Sequence, residues 1–130
     1  DGDNYLATIE YVSPDGDASQ PGPDLPGPRS EHCAVKLSNG QAMLLGGYPD
    51  KKSVIVFHPD TEEFDQSLPP LNFEREGFGC ATFNSPMHDN REVVLAVGGQ
   101  YQATAEVLDY SQPNPAWTQS NYYLFIYCFI

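Results

Sequence analysis

The sequence has 130 residues, of which 40% are hydrophobic and 18% charged, with 11 glycines and 12 prolines. This length fits one domain or part of one, and so much glycine and proline without a low-complexity tract indicates many short strands joined by turns. The acidic net charge of −12 argues against nucleic-acid binding, because a phosphate backbone would be repelled. No segment has the roughly 20 apolar residues of a transmembrane helix, so we expect no membrane partner either.

Cysteine content and charge distribution bear on the compartment and the surface. Cys33, Cys80 and Cys128 are too few for a disulfide scaffold, so we expect Cys33 and Cys80 to be small core residues of a reduced, cytoplasmic protein. Secretion is the alternative. Every charged residue before Arg29 is acidic, which indicates a solvated acidic surface, with a site for a basic partner as the alternative.

Short apolar runs between turn signals predict four strands within residues 29–74. The dipeptide Asn39-Gly40 is a strong hairpin signal and separates the first two strands. The second strand ends at Gly46-Gly47, where glycine permits backbone geometry and close approach that a side chain would obstruct. In chain order the strands cover about 32–38, 41–46 and 53–58, followed by a short fourth strand that carries Phe64.

Residues 75–119 repeat this pattern. A longer loop at 84–90 in place of the hairpin turn accounts for the wider spacing between the arginine and the glycines of this unit. Its second strand, about 93–97, is continuously apolar, which predicts burial on both faces. The matching residues are Arg29 with Arg75, Gly46-Gly47 with Gly98-Gly99, Phe57 with Tyr110 and Phe64 with Trp117, the two aromatic pairs each 53 positions apart.

These coordinated features resemble the kelch repeat, a unit of about fifty residues that forms one four-stranded blade of a β-propeller. The resemblance covers residues 6–119 and implies an all-β fold of four-stranded antiparallel kelch blades that form an incomplete β-propeller, an open arc. Because a propeller needs about 4–8 blades to close, we expect the chain to be a fragment of a longer protein. The implied divisions are a trailing half blade at 1–28, kelch repeats at 29–74 and 75–119, and an apolar tail at 120–130.

The resemblance also implies structural roles for several residues. The glycine pairs close the second strands, and Phe64 and Trp117 wedge against a neighbouring sheet. An arginine at the entry to a blade can donate hydrogen bonds to loop carbonyls of its neighbour, which we expect of Arg29 and Arg75. Ligand contact by these arginines is the alternative.

Signatures of catalysis are absent from the sequence, so we expect no enzyme, no cofactor and no metal. The segment "DGDAS" at 15–19 begins like a calcium loop but lacks the required glycine and closing glutamate, so it is interpreted as a turn. His32, His58 and His88 occupy different segments without ligand spacing, which favours structural or exposed side chains.

Binding is the better candidate. In kelch propellers one face, made of loops between second and third strands and loops between blades, commonly binds a protein or peptide. Polar and aromatic side chains at these positions are plausible adaptable contacts, although they are equally what the loops of any β protein carry. The candidate residues are Ser30, Glu31, Tyr48, Asp50, Lys51, Glu76, Gln100 and Tyr101.

Three functions follow as expectations. The first is a protein–protein interaction module, such as the substrate-recognition part of the ubiquitin-ligase adaptors that this family contains. The second is a fragment of a galactose-oxidase-like enzyme on the same scaffold, although the Tyr, His and Cys ligands of such enzymes are not evident. The third is a non-functional truncation product.

The last ten residues, "NYYLFIYCFI" at 121–130, leave the repeat and carry no charge. They are too few to cross a membrane, and a lone strand of this composition favours aggregation. We therefore expect a segment without function, read from beyond an exon end. A substitute strand that packs beneath the arc is the alternative.

Overall fold

The computed structural model describes residues 5–100 and 102–120, and these form ten β strands and a single turn of 3-10 helix, Pro86–His88. The prediction of an all-β, antiparallel fold is confirmed. The apolar tail at 121–130 lies outside the described residues. A first, two-stranded sheet consists of β1 (Glu10–Val12) and β2 (Ser19–Pro21), and the segment 15–19 that begins like a calcium loop forms part of its connecting turn and the first residue of β2.

Two four-stranded sheets follow, and in each of them the strands pair in chain order. Among the described residues no sheet closes on itself. The second sheet comprises β3 (Cys33–Lys36), β4 (Ala42–Leu45), β5 (Val54–His58) and β6 (Glu63–Asp65), and the third comprises β7 (Gly79–Ser85), β8 (Arg91–Val97), β9 (Ala105–Leu108) and β10 (Trp117–Ser120).

The second sheet is covered on both faces, which explains its continuous apolar strands. Met43 and Leu45 of β4 face the third sheet and join a core with Val94, Ala96 and Trp117. The alternate residue Leu44 faces the first sheet, together with Leu25, Ile55 and Phe57. Side chains of a strand alternate between faces, so a strand needs apolar residues at successive positions when both faces are buried.

The hairpins of the two larger sheets differ in strand length more than in their turns. β3 and β4 have four residues each, whereas β7 and β8 have seven each. The extra length between Arg75 and Gly98 therefore lies in longer strands, and the prediction of a longer loop over 84–90 is wrong at its beginning, since Asn84 and Ser85 belong to β7. The turn itself is Pro86–Asn90.

The strand register corrects one predicted correspondence. Phe57 pairs with Phe64 across β5 and β6, whereas Leu108 pairs with Trp117 across β9 and β10. The residue equivalent to Phe57 is therefore Leu108, and Tyr110 lies in the turn beyond β9. The hairpin from Leu108 to Trp117 is two residues longer than the hairpin from Phe57 to Phe64. An alignment that matches Phe64 with Trp117 therefore places Phe57 opposite Tyr110 instead of Leu108.

Cys33 on β3 and Cys80 on β7 form a disulfide, with their Cα atoms 6.0 Å apart. The prediction that they are separate, reduced core residues is wrong. Cys33 is the first residue of β3 and Cys80 the second residue of β7, and β3 packs against β7, so the two side chains meet between the first strands of neighbouring sheets. The number of cysteines in the sequence gives no information on which of them lie close together in the fold.

The glycine pairs lie where backbones approach each other. Gly46 and Gly47 have φ values of 54° and 85°, which side chains rarely adopt. A Cβ atom on Gly47 would lie 2.5 Å from the carbonyl oxygen of Ser30, and one on Gly46 would lie 2.6 Å from that of Arg75. In the third sheet a Cβ on Gly99 would meet the Glu76 carbonyl oxygen at 3.1 Å. These glycines thus let each second strand end against the backbone of an adjacent segment.

We expect Gly47→Ala to lower the free energy of unfolding by about 1–3 kcal/mol, through left-handed strain and a clash with backbone. Two matched variants separate these causes. Gly16 has φ 77° with nothing within 4 Å of a Cβ, so Gly16→Ala adds strain alone, and Gly27→Ala adds neither. Chemical denaturation of the three variants measures the difference. Equal losses in Gly47→Ala and Gly16→Ala would show that close approach plays no part.

The disulfide generates a second prediction. Peptide mapping without reduction should recover the peptides of Cys33 and Cys80 joined, because the bond links neighbouring sheets. The double variant Cys33→Ser, Cys80→Ser should lose roughly 2–4 kcal/mol of unfolding free energy, since the cross-link restricts the unfolded chain. Cys128→Ser is the control and should leave the map and the stability unchanged. Free thiols at both 33 and 80 in the folded, air-oxidised chain would contradict the bond.

Candidate partner-binding site at the loop end

The second and third sheets place equivalent loops at the same end of the molecule, here called the loop end. It consists of the described residues that connect second to third strands, 46–53, 98–100 and 102–104, with the segments 29–32 and 66–78 that enter the sheets. Backbone hydrogen bonds join these segments. Gly47 N donates to Arg75 O at 2.9 Å, Gly77 N to Glu31 O at 3.0 Å and Gln100 N to Glu76 O at 2.9 Å.

Tyr48 is the largest predicted contact residue at this end and is 42% exposed. Its backbone forms a two-way bridge with Ser30, through N–H donors at 2.9 Å and 3.1 Å. The Tyr48 ring lies 5.0 Å from the ring of Tyr5, and the Nζ of Lys51 lies 5.8 Å from its centroid. A fixed backbone beneath an exposed aromatic ring suits a contact residue, because little backbone freedom remains to be lost on binding.

A polar cavity of about 130 Å³ lies between the loops of the two sheets. Lys51 Nζ donates to Glu76 Oε1 at 2.8 Å across it, and this hydrogen bond raises the pKa of Lys51. The ion pair is partly exposed, so it is weak and a charged ligand can exchange with it. Glu74 is a lining residue that the sequence reasoning missed, since it does not follow a glycine pair. The cavity is lined by Lys51, Glu74, Glu76, Gln100 and Gln102.

The other predicted contact residues that the structure describes also lie at the loop end. Glu31 is exposed and has a left-handed φ of 54°, and its carbonyl accepts from Gly77. Asp50 is exposed, and its carbonyl accepts from Ser53 N–H and Oγ–H. The structure thus brings Ser30, Glu31, Tyr48, Asp50, Lys51, Glu76 and Gln100 to one end, and Tyr101 lies outside the described residues.

Arg75 is completely buried at the base of this end. Its Nε donates to Glu106 Oε1 at 2.8 Å, and its Nη1 donates to the carbonyls of Gly98 and Thr104 at 2.6 Å and 2.9 Å. These carbonyls belong to the third sheet, whose first strand follows Arg75 in the chain. The expectation that Arg75 donates to loop carbonyls of a neighbouring blade is therefore wrong. The carboxylate of Glu106 also accepts from Asn72 N–H at 2.8 Å. A single glutamate within an otherwise apolar strand was the signal that could have identified this pair.

The opposite end of the sheets carries a different set of polar contacts. The Tyr110 hydroxyl donates to Glu92, and burial, followed by this bond, raises the pKa of Tyr110 to about 12. Burial alone would raise the pKa of Asp109, but hydrogen bonds from Ser111, Gln112 and Arg91 hold it well below its usual range. These contacts fix the turn beyond β9.

The predicted histidines are dispersed. His58 Nδ1 lies 2.7 Å from Gln41 Nε2, and His88 Nδ1 lies 2.9 Å from Ser85 Oγ. Burial, followed by the charge of Arg29, lowers the pKa of His32. Within residues 5–100 and 102–120 no group of three or more His, Cys, Asp and Glu side chains is placed to hold a metal ion. In the same residues no helix is long and apolar enough to cross a membrane.

No protein-family model matches this chain, and no curated protein shows significant sequence similarity to it.

The buried ion pair generates a prediction. Glu106→Ala should lower the unfolding free energy by about 3–5 kcal/mol, because Arg75 would keep a buried charge without its carboxylate. Glu63→Ala removes an exposed carboxylate from β6 and should change stability by less than about 0.5 kcal/mol. In a double-mutant cycle with Arg75→Leu, the two losses should not add. Additive losses, measured by denaturant titration, would show that the pair is not coupled.

Proposed function

We propose that this chain is part of a protein-interaction module, a kelch-type β-propeller whose loop end binds an extended peptide segment of a partner protein. The carrying observation is the convergence of equivalent loops from two adjacent sheets around an exposed tyrosine and a polar cavity. Tyrosine and glutamine side chains, with a weak and exchangeable ion pair, offer stacking and hydrogen bonds to a peptide backbone.

The proposal of a kelch-type propeller is supported by the repetition of the sheets. Both larger sheets are four-stranded antiparallel meanders that pack on each other, and each has an arginine before its first strand and a glycine pair after its second. Face-to-face stacking of equal sheets is the packing that successive blades of an open arc require. The Cys33–Cys80 disulfide does not fit the reducing cytoplasm in which ubiquitin-ligase adaptors work, so the proposal does not extend to that more specific expectation.

We propose a compartment from the disulfide rather than from the number of cysteines. Disulfides persist mainly in oxidising compartments, so the Cys33–Cys80 bond favours secretion over the cytoplasmic location expected from the sequence.

The binding function is tested by selecting peptides from a displayed random library on the immobilised chain. The selected peptides should lose affinity about tenfold on Tyr48→Ala, since a central aromatic contact contributes more than about 1 kcal/mol. Gln100→Ala should weaken binding further, because the side chain borders the cavity. Isothermal titration calorimetry measures both effects.

Met87→Ala is the matched control, because Met87 is 75% exposed but lies in the turn at the opposite end. It should leave peptide affinity unchanged, and circular dichroism should show that all variants keep the β fold. If peptides bind the Tyr48→Ala, Gln100→Ala double variant as well as they bind the unchanged chain, the binding surface lies elsewhere and the proposal is wrong.

A further inference from the structure

Arg29 and Arg75 occupy equivalent places but have different partners. Arg29 Nη1 donates to Gly46 O at 3.2 Å, as Arg75 Nη1 does to Gly98 O. Arg29 also reaches Ser53 Oγ at 3.0 Å, where Arg75 reaches the equivalent Thr104 hydroxyl. The two guanidinium groups are therefore held by the same part of their respective loops.

The difference lies at Nε. Arg75 Nε donates to Glu106, the second residue of β9, whereas the second residue of β5 is Ile55. Arg29 Nε is buried and has no hydrogen-bond partner among the described residues. A buried, unpartnered N–H of a charged group is costly, and burial lowers the pKa of Arg29.

A second replacement accompanies the first. The Glu106 carboxylate accepts from the backbone N–H of Asn72, which lies three residues before Arg75. The residue three before Arg29 is Pro26, which has no N–H. Beside Arg75, Glu106 supplies the carboxylate and the Asn72 N–H helps to hold it. The equivalent residues beside Arg29, Ile55 and Pro26, can do neither.

An open pocket of about 150 Å³ lies at this place. It is several times larger than the roughly 30 Å³ that one water takes up in the liquid, so it has room for a carboxylate group. Its lining includes Arg29 together with the two replacing residues, Pro26 and Ile55, and Asp50 and Gln66 border it at the loop end.

We propose that this pocket is a carboxylate-binding subsite, in which an acidic group of the bound peptide pairs with Arg29 as Glu106 pairs with Arg75. A rotation of the Arg29 side chain turns its buried Nε edge toward the carboxylate, which then accepts hydrogen bonds in the planar geometry for which a guanidinium is suited. This inference deepens the proposed function, and only its peptide measurement depends on that function. The measurement of free carboxylate binding does not depend on it.

Acetate is the first probe, observed through the arginine Nε–Hε signals in NMR spectra of the full chain. The signal of Arg29, assigned by its loss in Arg29→Lys, should shift saturably with acetate and stay unchanged with chloride. Arg75, already paired with Glu106, is the internal control and should not respond. No shift with acetate, or an equal shift with chloride, would overturn the subsite.

Two variants address the competing explanations. Ile55→Glu supplies an internal carboxylate and should abolish the acetate response, whereas Ile55→Leu should keep it. Asp50→Asn tests whether the bordering Asp50 already serves Arg29 through a small rotation. If Asp50→Asn shifts the Arg29 signal while acetate does not, the proposal is wrong.

The peptide measurement identifies the source of the carboxylate. Among peptides selected on the chain, replacing an acidic side chain by its amide should weaken binding about tenfold, and this loss should disappear on Arg29→Lys. If amidation of the peptide's carboxyl terminus has this effect instead, the subsite binds a terminal carboxylate. If neither change matters while Tyr48→Ala still weakens binding, the subsite fails and the proposed function stands.

Discussion

The close approach of backbones at the glycine pairs is the constraint on which the rest of the structure depends. Gly47 donates to the Arg75 carbonyl, and a Cβ at this position would lie 2.5 Å from the Ser30 carbonyl oxygen. The segment that enters the third sheet is thereby fixed against the end of β4. Because the arginine backbone is fixed, its long side chain reaches the loop carbonyls of its own sheet, and the loops at this end hold one geometry.

Burial of a complete guanidinium is possible only because that geometry supplies all its partners. Glu106 neutralises the charge, and two backbone carbonyls and a threonine hydroxyl accept from the Nη atoms, so each nitrogen of the Arg75 guanidinium has a partner. A buried pair of this kind adds little net stability compared with apolar residues, but breaking it is costly. Its physical effect is to permit one arrangement of the loops, and that arrangement positions the lysine and glutamate of the neighbouring cavity.

Periodicity in the sequence was enough to predict the strands, their antiparallel order and the double burial of β8, since these depend on alternation and turn residues within about fifty positions. It did not predict that Leu108 pairs with Trp117, because a turn of different length shifts the alignment of two repeats while they still appear to match. The disulfide was also missed, because the proximity of Cys33 and Cys80 arises when equivalent strands of neighbouring sheets pack. Of the candidate site, the positions after the glycine pairs were predictable, while Tyr5 and Glu74 reach it from segments without any repeat signal.

Departures from a repeat carry more information about binding than the repeat itself. Residues that recur in both sheets, such as the arginines and the glycine pairs, satisfy needs that the two units share. The exchange of Asn72 and Glu106 for Pro26 and Ile55 removes a donor and an acceptor together, yet the arginine they would serve is retained with the same loop contacts. Retaining a charge after removing its partner destabilises an isolated chain, because the buried N–H has lost its bonds to water. Such a cost is consistent with the proposal that a carboxylate partner arrives from outside the sheet.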